Sequence, residues 1–369
     1  MKKIKIIANY LPQYHVIPEN SKWWGEGYTD WCAVQGAKPL FKGHMQPRIP
    51  QNNHYYHLDN VNEIRWQANL AKKYGVYAFG IYHYWFSDKV NLLTKPAEII
   101  KSNKDIDINF MFIWDNTSWV RSWSNVKAGN DWAPGFEDNF EYKNKSNSGI
   151  LANLEYGSSE DWKTHFYYLL DFFKDDRYIK VDNKPMFGFF HPYKESHILA
   201  KMISLWDDLA RQHGFNGILC LGKETWRPSN FEYKFRYSPF SPNYLSSSLK
   251  NKISYLISKK FNRIRFEDYD SHWRTIIAEA EKADEKTFLS GFVDFDDSPR
   301  RGNKARIIKG GTPEKFQKYI KELIDISIKQ NKEYVFLTAW NEWGEGAYLE
   351  PDQYYGDSYL EALKSVLDS

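Results

Sequence analysis

The stretch Val335-Phe-Leu-Thr-Ala-Trp340 is an almost uninterrupted apolar run that leads directly into polar residues. A run without alternation of apolar and polar positions is typical of a parallel strand that is buried on both faces. A helical pattern at 314–330 precedes it and starts at Thr312-Pro313, a capping residue followed by proline at the first helical position. The stretch therefore predicts one helix-and-strand unit of a parallel sheet.

Similar apolar runs and helical patterns extend this unit over the whole chain. The predicted strands are residues 4–10, 76–82, 108–114, 185–190, 217–221, 233–237, 288–293 and 335–340. The helical patterns are residues 62–74, 95–102, 161–174, 196–213, 271–283, 314–330 and 358–367. Alternating strands and helices favour an α/β architecture, and eight strands in 369 residues favour a single closed (β/α)8 barrel of the TIM type over residues 1–369.

Two long segments interrupt this alternation, at about 16–59 and 118–160. The first is rich in aromatic residues, and the second is rich in Asn, Gly and Ser. In barrel enzymes the loops at the carboxyl ends of the strands build the active site. We therefore expect both insertions on that face, where they would form the walls of a cleft.

The composition is that of a globular protein with many aromatic side chains. Hydrophobic residues make up 42% of the chain and charged residues 26%, and the net charge of +3 gives no general case for nucleic-acid binding. Aromatic residues make up 18%, and such rings either stack on the apolar faces of sugars or fill the core. Two cysteines form no disulfide pattern. Without a signal peptide or a long apolar segment, we expect a cytoplasmic protein.

The strongest signal for chemistry is the segment Asn341-Glu-Trp-Gly-Glu-Gly346, which follows the last predicted strand. Glu342 and Glu345 are three residues apart in a turn, so both carboxylates can point into one cleft. Cleavage of a glycosidic bond requires one carboxyl group to protonate the departing oxygen and a second to assist at the anomeric carbon. An aromatic wall raises the pKa of the nearer carboxyl group, and glycines permit unusual backbone angles. We predict that Glu342 and Glu345 are catalytic.

Further polar and aromatic residues follow the predicted strands or lie in the insertions. They would bind sugar hydroxyls or stack on sugar rings, although core packing explains each tryptophan equally well. The predicted substrate-binding residues are Tyr10, His15, Trp24, Asp30, Trp31, His83, Trp85, Trp114, Asn116, Arg121, Asp294, Trp340, Asn341 and Trp343. His15, His83 and His191 lie at the ends of different strands and could instead bind a metal with Asp294, but no close ligand spacing supports this. We predict neither a metal nor another cofactor.

Several segments resemble a known group of carbohydrate-active proteins. The segment 341–346 is similar to the catalytic loop of glycoside hydrolase family 99. Segments 10–15, 27–31, 38–44, 82–86 and 339–351 make the whole chain resemble the WbsX-type branch of proteins that are similar to this family. The branch is associated with O-antigen and capsule gene clusters and is often labelled a glycosyltransferase.

The resemblance implies a (β/α)8 barrel that cleaves internal α-mannosidic bonds with retention and without a metal. Carried over by position, Glu342 would deprotonate the sugar 2-hydroxyl, which then attacks the anomeric carbon to give an epoxide-like intermediate. Glu345 would act first as the acid and then as the base. The chain departs from the branch at Thr117, where a glutamate is common, and at 294–298. These departures bear on which substrate is bound more than on which reaction is catalysed.

The sequence leaves two other functions open. A glycosyltransferase with a nucleotide-sugar or lipid-linked donor would suit a cytoplasmic protein with basic segments, although no glycine-rich phosphate loop of the Walker or Rossmann type follows any strand. A non-catalytic sugar-binding module would not require both glutamates. The basic stretch 243–266 fits a helix on an anionic membrane surface or a helix that covers the barrel. The basic loop 298–306 would hold a phosphate or an acidic sugar, or else be solvated.

Overall fold

The computed structural model describes residues 3–120, 150–227, 229–240, 249–261 and 263–369. Eight strands form a closed barrel, which confirms the predicted fold. They are β1 (Lys5–Tyr10), β2 (Val76–Ser87), β3 (Asn109–Trp114), β4 (Lys184–Phe189), β5 (Leu219–Lys223), β6 (Tyr233–Phe235), β7 (Thr287–Phe292) and β8 (Tyr334–Thr338).

The strands follow one another around the barrel in chain order, and β8 returns to pair with β1. Every pair of neighbouring barrel strands is parallel. Ile7 of β1 has Phe336 of β8 as its partner on one side and Ala78 of β2 on the other. Because all strands run in one direction, the residues that follow them meet at a single face of the barrel.

The helices lie close to where the hydrophobic pattern predicts them. They are α1 (Val61–Lys73), α2 (Lys95–Ser102), α3 (Ser159–Phe173), α4 (Ser196–Gln212), α5 (Leu249–Phe261), α6 (Tyr269–Ala280), α7 (Pro313–Lys329) and α8 (Ser358–Leu367). At the start of α7, the hydroxyl of Thr312 accepts a hydrogen bond from the backbone N–H of Lys315 at 3.3 Å, a cap that typically contributes about 1 kcal/mol. Phe316, Ile320 and Leu323 form the buried face of this helix.

Two glycines in the strands make room for large side chains inside the barrel. A Cβ atom on Gly80 would lie 3.1 Å from Cδ1 of Ile113 and 3.3 Å from Cγ2 of Ile7. A Cβ atom on Gly188 would lie 3.3 Å from Ile113 as well. The interior is therefore filled by isoleucine side chains because neighbouring strands carry no side chain there, and it is a packed core rather than a pore.

The first insertion is anchored to the loop that follows β7. It contains the short helices Pro18–Trp24 and Asp30–Gly36. Nη2 of Arg48 donates to Oδ2 of Asp294 at 2.7 Å, and Nε2 of Gln46 donates to Oδ2 of Asp296 at 2.8 Å. These bonds hold the insertion over the carboxyl ends of the last two strands, at the face where the predicted catalytic loop lies.

Only the two ends of the second insertion belong to the described residues. There, Trp119–Val120 pairs antiparallel with Ile150–Ala152. Residues 121–149, which include the predicted Arg121, lie outside the described residues. The other short strands are Val90–Leu92, Lys180–Val181, Arg265–Asp268, Arg306–Lys309, Asn341–Glu342 and Ala347–Tyr348. Within the described ranges, no helix has the length and apolar character that a membrane crossing requires.

Candidate active site

The loop after β8 makes a tight turn that carries both predicted catalytic glutamates. Glu342 ends a short strand, and Trp343–Glu345 form one turn of 3-10 helix. Gly346 ends this turn at a φ of 59°, in the left-handed region that favours glycine. Gly344 is needed for space, because a Cβ atom there would lie 2.6 Å from Nε of Arg300. The turn between Glu342 and Glu345 therefore leaves space for the guanidinium group of Arg300.

One guanidinium group contacts three carboxylates at this turn. Arg300, in the helical turn Ser298–Arg301 after β7, donates from Nη1 to Oε1 of Glu345 at 2.9 Å. Its Nη2 donates to Oδ2 of Asp30 at 2.5 Å and lies 3.4 Å from Oε2 of Glu342. The side chains of Asp30 and Glu342 are 6% and 5% exposed, whereas that of Glu345 is 24% exposed. Within this group, Glu345 is the carboxylate that a ligand reaches most directly.

The negative charges in this group exceed the single positive charge. Burial raises the pKa of Glu342 to about 8, the charge of Glu345 adds to the rise, and Arg300 offsets part of it. Burial alone would lower the pKa of Arg300, but the carboxylates of Asp30, Glu342 and Glu345 hold it well above its usual value. Burial and the excess of negative charge therefore both favour the protonated form of Glu342, and the carboxylates favour the charged form of Arg300.

The glutamate turn is fixed to the end of β1 by two side chains. Nδ2 of Asn341 donates to the carbonyl oxygen of Leu11 at 3.0 Å, and the N–H of Leu11 donates to Oδ1 of Asn341 at 2.7 Å. The hydroxyl of Tyr14 donates to the carbonyl oxygen of Asn341 at 2.8 Å and accepts from the N–H of Trp343 at 3.1 Å. Asn341, which the sequence predicts as a sugar ligand, thus uses its amide to position the loop.

A second buried carboxylate, Glu350, lies behind the turn. It accepts hydrogen bonds of 2.7 Å from Nε1 of Trp343, the hydroxyl of Tyr56 and Nε2 of Gln67. The hydroxyl of Tyr10 in turn donates to Oε1 of Gln67 at 2.7 Å. Burial raises the pKa of Glu350 to about 7, although these donors lower it in part. The predicted residues Tyr10 and Trp343 therefore belong to a buried network that supports the turn.

Strand β2 directs alternate residues to the site and to the surrounding helices. Burial raises the pKa of Tyr82 and Tyr84 far above the usual value, and the charge of Glu342 contributes to both shifts. Between them, Nε2 of His83 lies 2.8 Å from Nε2 of His165 in α3. The ring of Trp85 stacks on the same His165 at 4.3 Å. Since strand side chains alternate, the predicted His83 and Trp85 face α3, and the two tyrosines face the glutamates.

The predicted residues at the ends of β3 and β8 are also buried. Nε1 of Trp114 donates to the carbonyl oxygen of Trp85 at 2.9 Å. Nδ2 of Asn116 donates to the carbonyl oxygen of His191 at 3.0 Å, and Oδ1 accepts from the N–H of His191 at 2.8 Å. Trp340 is fully buried and packs on Phe79 at 5.4 Å. These side chains join neighbouring elements of the barrel.

The predicted residues of the first insertion and of the β7 loop lie around the glutamate turn. Trp31 is buried, with its ring 5.5 Å from that of Trp343. Trp24 is half-buried and stacks on Tyr28 at 5.7 Å. Asp294 pairs with Arg48, as described above, so this carboxylate holds the insertion in place.

His15 is buried apart from the Arg300 group. Burial lowers its pKa, while the charge of Asp59 counteracts that shift and the charge of Lys95 adds to it. Its Nδ1 has no hydrogen-bond partner among the described residues. Of the predicted residues, the structure therefore brings Asp30, Glu342 and Glu345 into direct contact with one cation, and it leaves one nitrogen of His15 available.

Several residues that lie at the site were not predicted from the sequence. The most important is Arg300, which belongs to the basic loop 298–306; its position after a predicted strand was the available signal. The hydroxyl of Tyr237 lies 2.8 Å from that of Tyr82, and burial together with the charges of Glu345 and Glu342 raises the pKa of Tyr237. Strand alternation separates Tyr82 and Tyr84 from His83 and Trp85, but it does not show which set faces the site. Within the part of the chain that the structure describes, no cluster of three His, Cys, Asp or Glu side chains could hold a metal ion.

The closed (β/α)8 barrel, with its carboxylate pair after the last strand, places the chain in a fold class that includes glycoside hydrolases. Within that class, the chain belongs to the glycosyltransferase WbsX family, whose sequence profile matches residues 6–363. The resemblance inferred from the sequence is therefore confirmed.

Similar proteins agree with this assignment. The uncharacterized protein WxcX of Xanthomonas campestris pv. campestris (strain B100) is 28% identical over 373 residues, which cover 98% of this chain and 49% of the relative. The chain thus spans about half the length of this relative. The family 99 endo-α-mannosidase of Bacteroides thetaiotaomicron has a TM-score of 0.54 at 14% identity, over 98% of this chain and 96% of that one. A glycoside hydrolase-like protein has a TM-score of 0.58 at 13% identity, over 100% and 94%. These two structures share the fold.

Proposed function

We propose that this protein is a retaining glycosidase of the endo-α-mannosidase type, with Glu342 and Glu345 as its catalytic residues. The observation that carries the proposal is the arrangement of these two carboxylates around Arg300, one buried with a raised pKa and the other reachable. Glycosidic cleavage requires two carboxyl groups with different proton affinities. The similarity of the fold to an endo-α-mannosidase supports the substrate class.

The proposed reaction starts from the form in which Glu342 is ionised and Glu345 carries the proton. In the first step, Glu342 removes the proton of the sugar 2-hydroxyl, and the 2-oxygen attacks the anomeric carbon. The bond to the departing glycan breaks as Glu345 donates its proton to the leaving oxygen. A base with a pKa near 8 takes a proton from a weakly acidic hydroxyl more readily than an ordinary carboxylate does. Arg300 then stabilises the negative charge that develops on Glu345.

In the second step, Glu345 takes a proton from water as the water attacks the anomeric carbon. The three-membered ring opens, and Glu342 returns its proton to the 2-oxygen. Each step inverts the configuration at the anomeric carbon, so the product retains the original configuration. Asp30 bonds to the same guanidinium nitrogen that faces Glu342, which fixes Arg300 between the two catalytic residues throughout the cycle.

The tyrosines around the turn are the side chains that we assign to sugar contact. Tyr82, Tyr84 and Tyr237 each combine an apolar ring with a hydroxyl group and lie within the field of Glu342. Of the residues predicted from sequence, the half-buried Trp24 is suited to stacking on a sugar ring. His15 remains a predicted sugar ligand, although its Nδ1 is buried in this structure.

Substitution of Glu345 tests the catalytic assignment. In Glu345→Gln we expect kcat to fall by roughly 10²–10⁴-fold, because the amide cannot exchange a proton. Binding of an α-mannan fragment, measured by calorimetry, should persist. Glu361→Gln on the exposed side of α8 is the control and should retain full activity. Near-normal turnover by the Glu345 variant would exclude this residue from the reaction.

The description of the family favours a second function, that of a glycosyltransferase. The resemblance seen in the sequence would place it in lipopolysaccharide O-antigen or capsule synthesis. Product analysis by mass spectrometry separates the two functions. The protein is incubated with α-mannan fragments and with surface polysaccharide, with and without nucleotide-sugars. Shortened glycans without a donor support the hydrolase, whereas extended glycans that require a donor would establish the transferase. Binding without either product would indicate a non-catalytic sugar-binding module.

We also propose that α5 contacts the inner face of an anionic membrane, where lipid-linked glycans are available. The side chains of Ile253, Leu256 and Ile257 are 47%, 61% and 49% exposed, and Lys252 and Lys260 are exposed beside them. Residues 249–261 contain no acidic side chain. Exposed apolar side chains flanked by lysines are typical of helices that lie on anionic lipid.

Vesicle sedimentation tests this contact. The protein should bind vesicles of phosphatidylglycerol and phosphatidylcholine but not pure phosphatidylcholine. Leu256→Asp should abolish binding, while Tyr354→Asp, at a similarly exposed aromatic residue elsewhere, should not. Equal recovery of the wild type and Leu256→Asp with anionic vesicles would contradict a contact through α5.

A further inference from the structure

A second group of charged side chains lies at the ends of β3, β4 and β5. Its central member is Lys223, the last residue of β5. Nζ of Lys223 lies 3.5 Å from the ring centre of Phe190 and 5.5 Å from that of Tyr237. Among the described residues, this ammonium group has no ion-pair or hydrogen-bond partner. The aromatic rings offer this cation a favourable contact but no negative charge, and lysines are rarely buried unless they are paired.

The carboxylate whose charge acts on Lys223, that of Asp115, is already hydrogen-bonded to another residue. Oδ1 of Asp115 lies 3.1 Å from Nε2 of His191, and the charge of Asp115 raises the pKa of Lys223 only in part. Nζ of Lys194 donates to Oγ1 of Thr117, which is one of the positions where the chain departs from the family pattern. Asp115 is therefore the one carboxylate that we count in this group, and its charge acts on more than one cationic side chain.

A third cation completes the group. The guanidinium group of Arg227 lies 4.7 Å from the ring centre of Tyr193, and its charge acts on Lys194. Burial lowers the pKa of Lys194 and lowers that of Lys223 to about 7. Burial without a matching anion thus disfavours both ammonium groups. A bound anion would remove this imbalance, because it would supply the missing partner.

The group is continuous with the catalytic site through Tyr237. One face of this tyrosine lies near Lys223, and its hydroxyl bonds to Tyr82 at 2.8 Å. The charges of Glu345 and Glu342 act on the same tyrosine. A glycan held at the glutamate pair would therefore extend past Tyr237 toward Lys223.

We propose that Lys223, Lys194 and Arg227 form an anion-binding subsite beside the glutamate pair. It takes a carboxylate or phosphate group carried by the glycan, one or more sugars away from the bond that reacts. The inference rests on the proposed function because it assumes that the glutamate pair binds a glycan. It adds to that function a substrate class, an acidic glycan, which the catalytic residues do not specify.

Calorimetric titration of three proteins tests the subsite. The probes are glucuronic acid and inorganic pyrophosphate, with glucose as the neutral control. The variants are Lys223→Met, which keeps the length of the side chain but removes its charge, and the matched control Lys332→Met. Lys332 is also a lysine whose pKa burial lowers, but it precedes β8 and donates to the carbonyl oxygen of Asp284 at 2.6 Å.

We expect the wild type and Lys332→Met to bind one anionic probe at least about tenfold more tightly than glucose. Lys223→Met should lose roughly 10- to 100-fold of that affinity, as expected when one charge-assisted hydrogen bond is removed. Preference for glucuronic acid would identify an acidic sugar, and preference for pyrophosphate would identify a phosphate-linked glycan. Equal affinity of the wild type and Lys223→Met for both anions would overturn the subsite.

Turnover distinguishes failure of the subsite from failure of the proposed function. If a neutral α-mannan fragment is cleaved by both the wild type and Lys223→Met and neither anion binds, the glycosidase stands and the subsite is refuted. If anions bind at Lys223 but no glycan is cleaved, the subsite stands and the proposed hydrolysis fails.

Discussion

At the scale of single residues, the proposed chemistry depends on the proton of Glu342 and on the guanidinium group of Arg300. Glu342 is buried beside two other carboxylates, and Arg300 supplies one positive charge for all three. Burial and the excess of negative charge raise the pKa of Glu342 to about 8. Glu345 is more exposed and bonds directly to Arg300, so the two glutamates lie in different environments although they are only three residues apart.

The pH dependence of kcat tests the raised pKa of Glu342. The proposed reaction requires one glutamate to be ionised while the other carries a proton, so kcat should fall as pH rises above about 8 and both glutamates become ionised. The measurement is kcat for an α-mannan fragment between pH 5 and pH 10. A kcat that stays level up to pH 10 would contradict the raised pKa of Glu342.

At the scale of the element, the turn after β8 can hold Arg300 between its two glutamates because Gly344 has no side chain. Arg300 crosses Gly344 so closely that a Cβ atom would lie 2.6 Å from its Nε and 3.1 Å from its Cζ. The turn itself is held by Asn341 and Tyr14, both from buried positions. Asn341 and Tyr14 thus fix the backbone of the turn, and Gly344 leaves space for the guanidinium group of Arg300.

Gly344→Ala should displace Arg300 while leaving the barrel intact. We expect kcat to fall by roughly 10- to 100-fold, because a small misplacement of a catalytic contact has an effect of this size. Kinetics and circular dichroism would be measured together. The matched control is Gly344→Ala in an Arg300→Ala background, where the added methyl group should not lower thermal stability further. A fully active Gly344→Ala would show that Arg300 does not need this space.

Strand β2 shows where prediction from sequence was incomplete at this scale. The pattern identifies the strand and its polar end correctly. It does not show which of two alternating sets faces the site, since His83 and Trp85 are as polar or aromatic as Tyr82 and Tyr84. A barrel strand is buried on both faces, so hydrophobicity does not distinguish the inside from the outside. Only the contacts of His83 and Trp85 with His165 in α3 decide the question.

For the whole molecule, the first insertion must be held against the barrel for the site to form. It supplies Asp30 to Arg300, and its Arg48 pairs with Asp294 after β7. The side chains of Arg48 and Asp294 are only 9% and 11% exposed. Removing one partner of a buried pair leaves the other charge without compensation, which typically costs about 3–5 kcal/mol.

Arg48→Met should therefore lower the free energy of unfolding by roughly 3 kcal/mol and should also lower kcat, since Asp30 would no longer be held at Arg300. Denaturant unfolding and kinetics measure the two effects. The control is Lys321→Met, which breaks an exposed pair with Asp325 and should change the free energy of unfolding by less than about 1 kcal/mol. Unchanged stability and kcat in Arg48→Met would show that the insertion is held by other contacts.

The sequence by itself determined the eight strands, most of the helices, the closed barrel and the glutamate pair. The strands, helices and barrel follow from the local periodicity of apolar residues, and the glutamate pair follows from one short motif. Both signals lie within a few neighbouring residues of the chain. The tertiary structure decided which side chains meet. Arg300 lies 45 residues from Glu345 and 270 residues from Asp30 in the chain. Lys223 likewise meets Phe190 and Tyr237 only because parallel strands end at one face. Partners brought together by barrel closure leave no local pattern in the sequence, so their contacts could not be predicted from it.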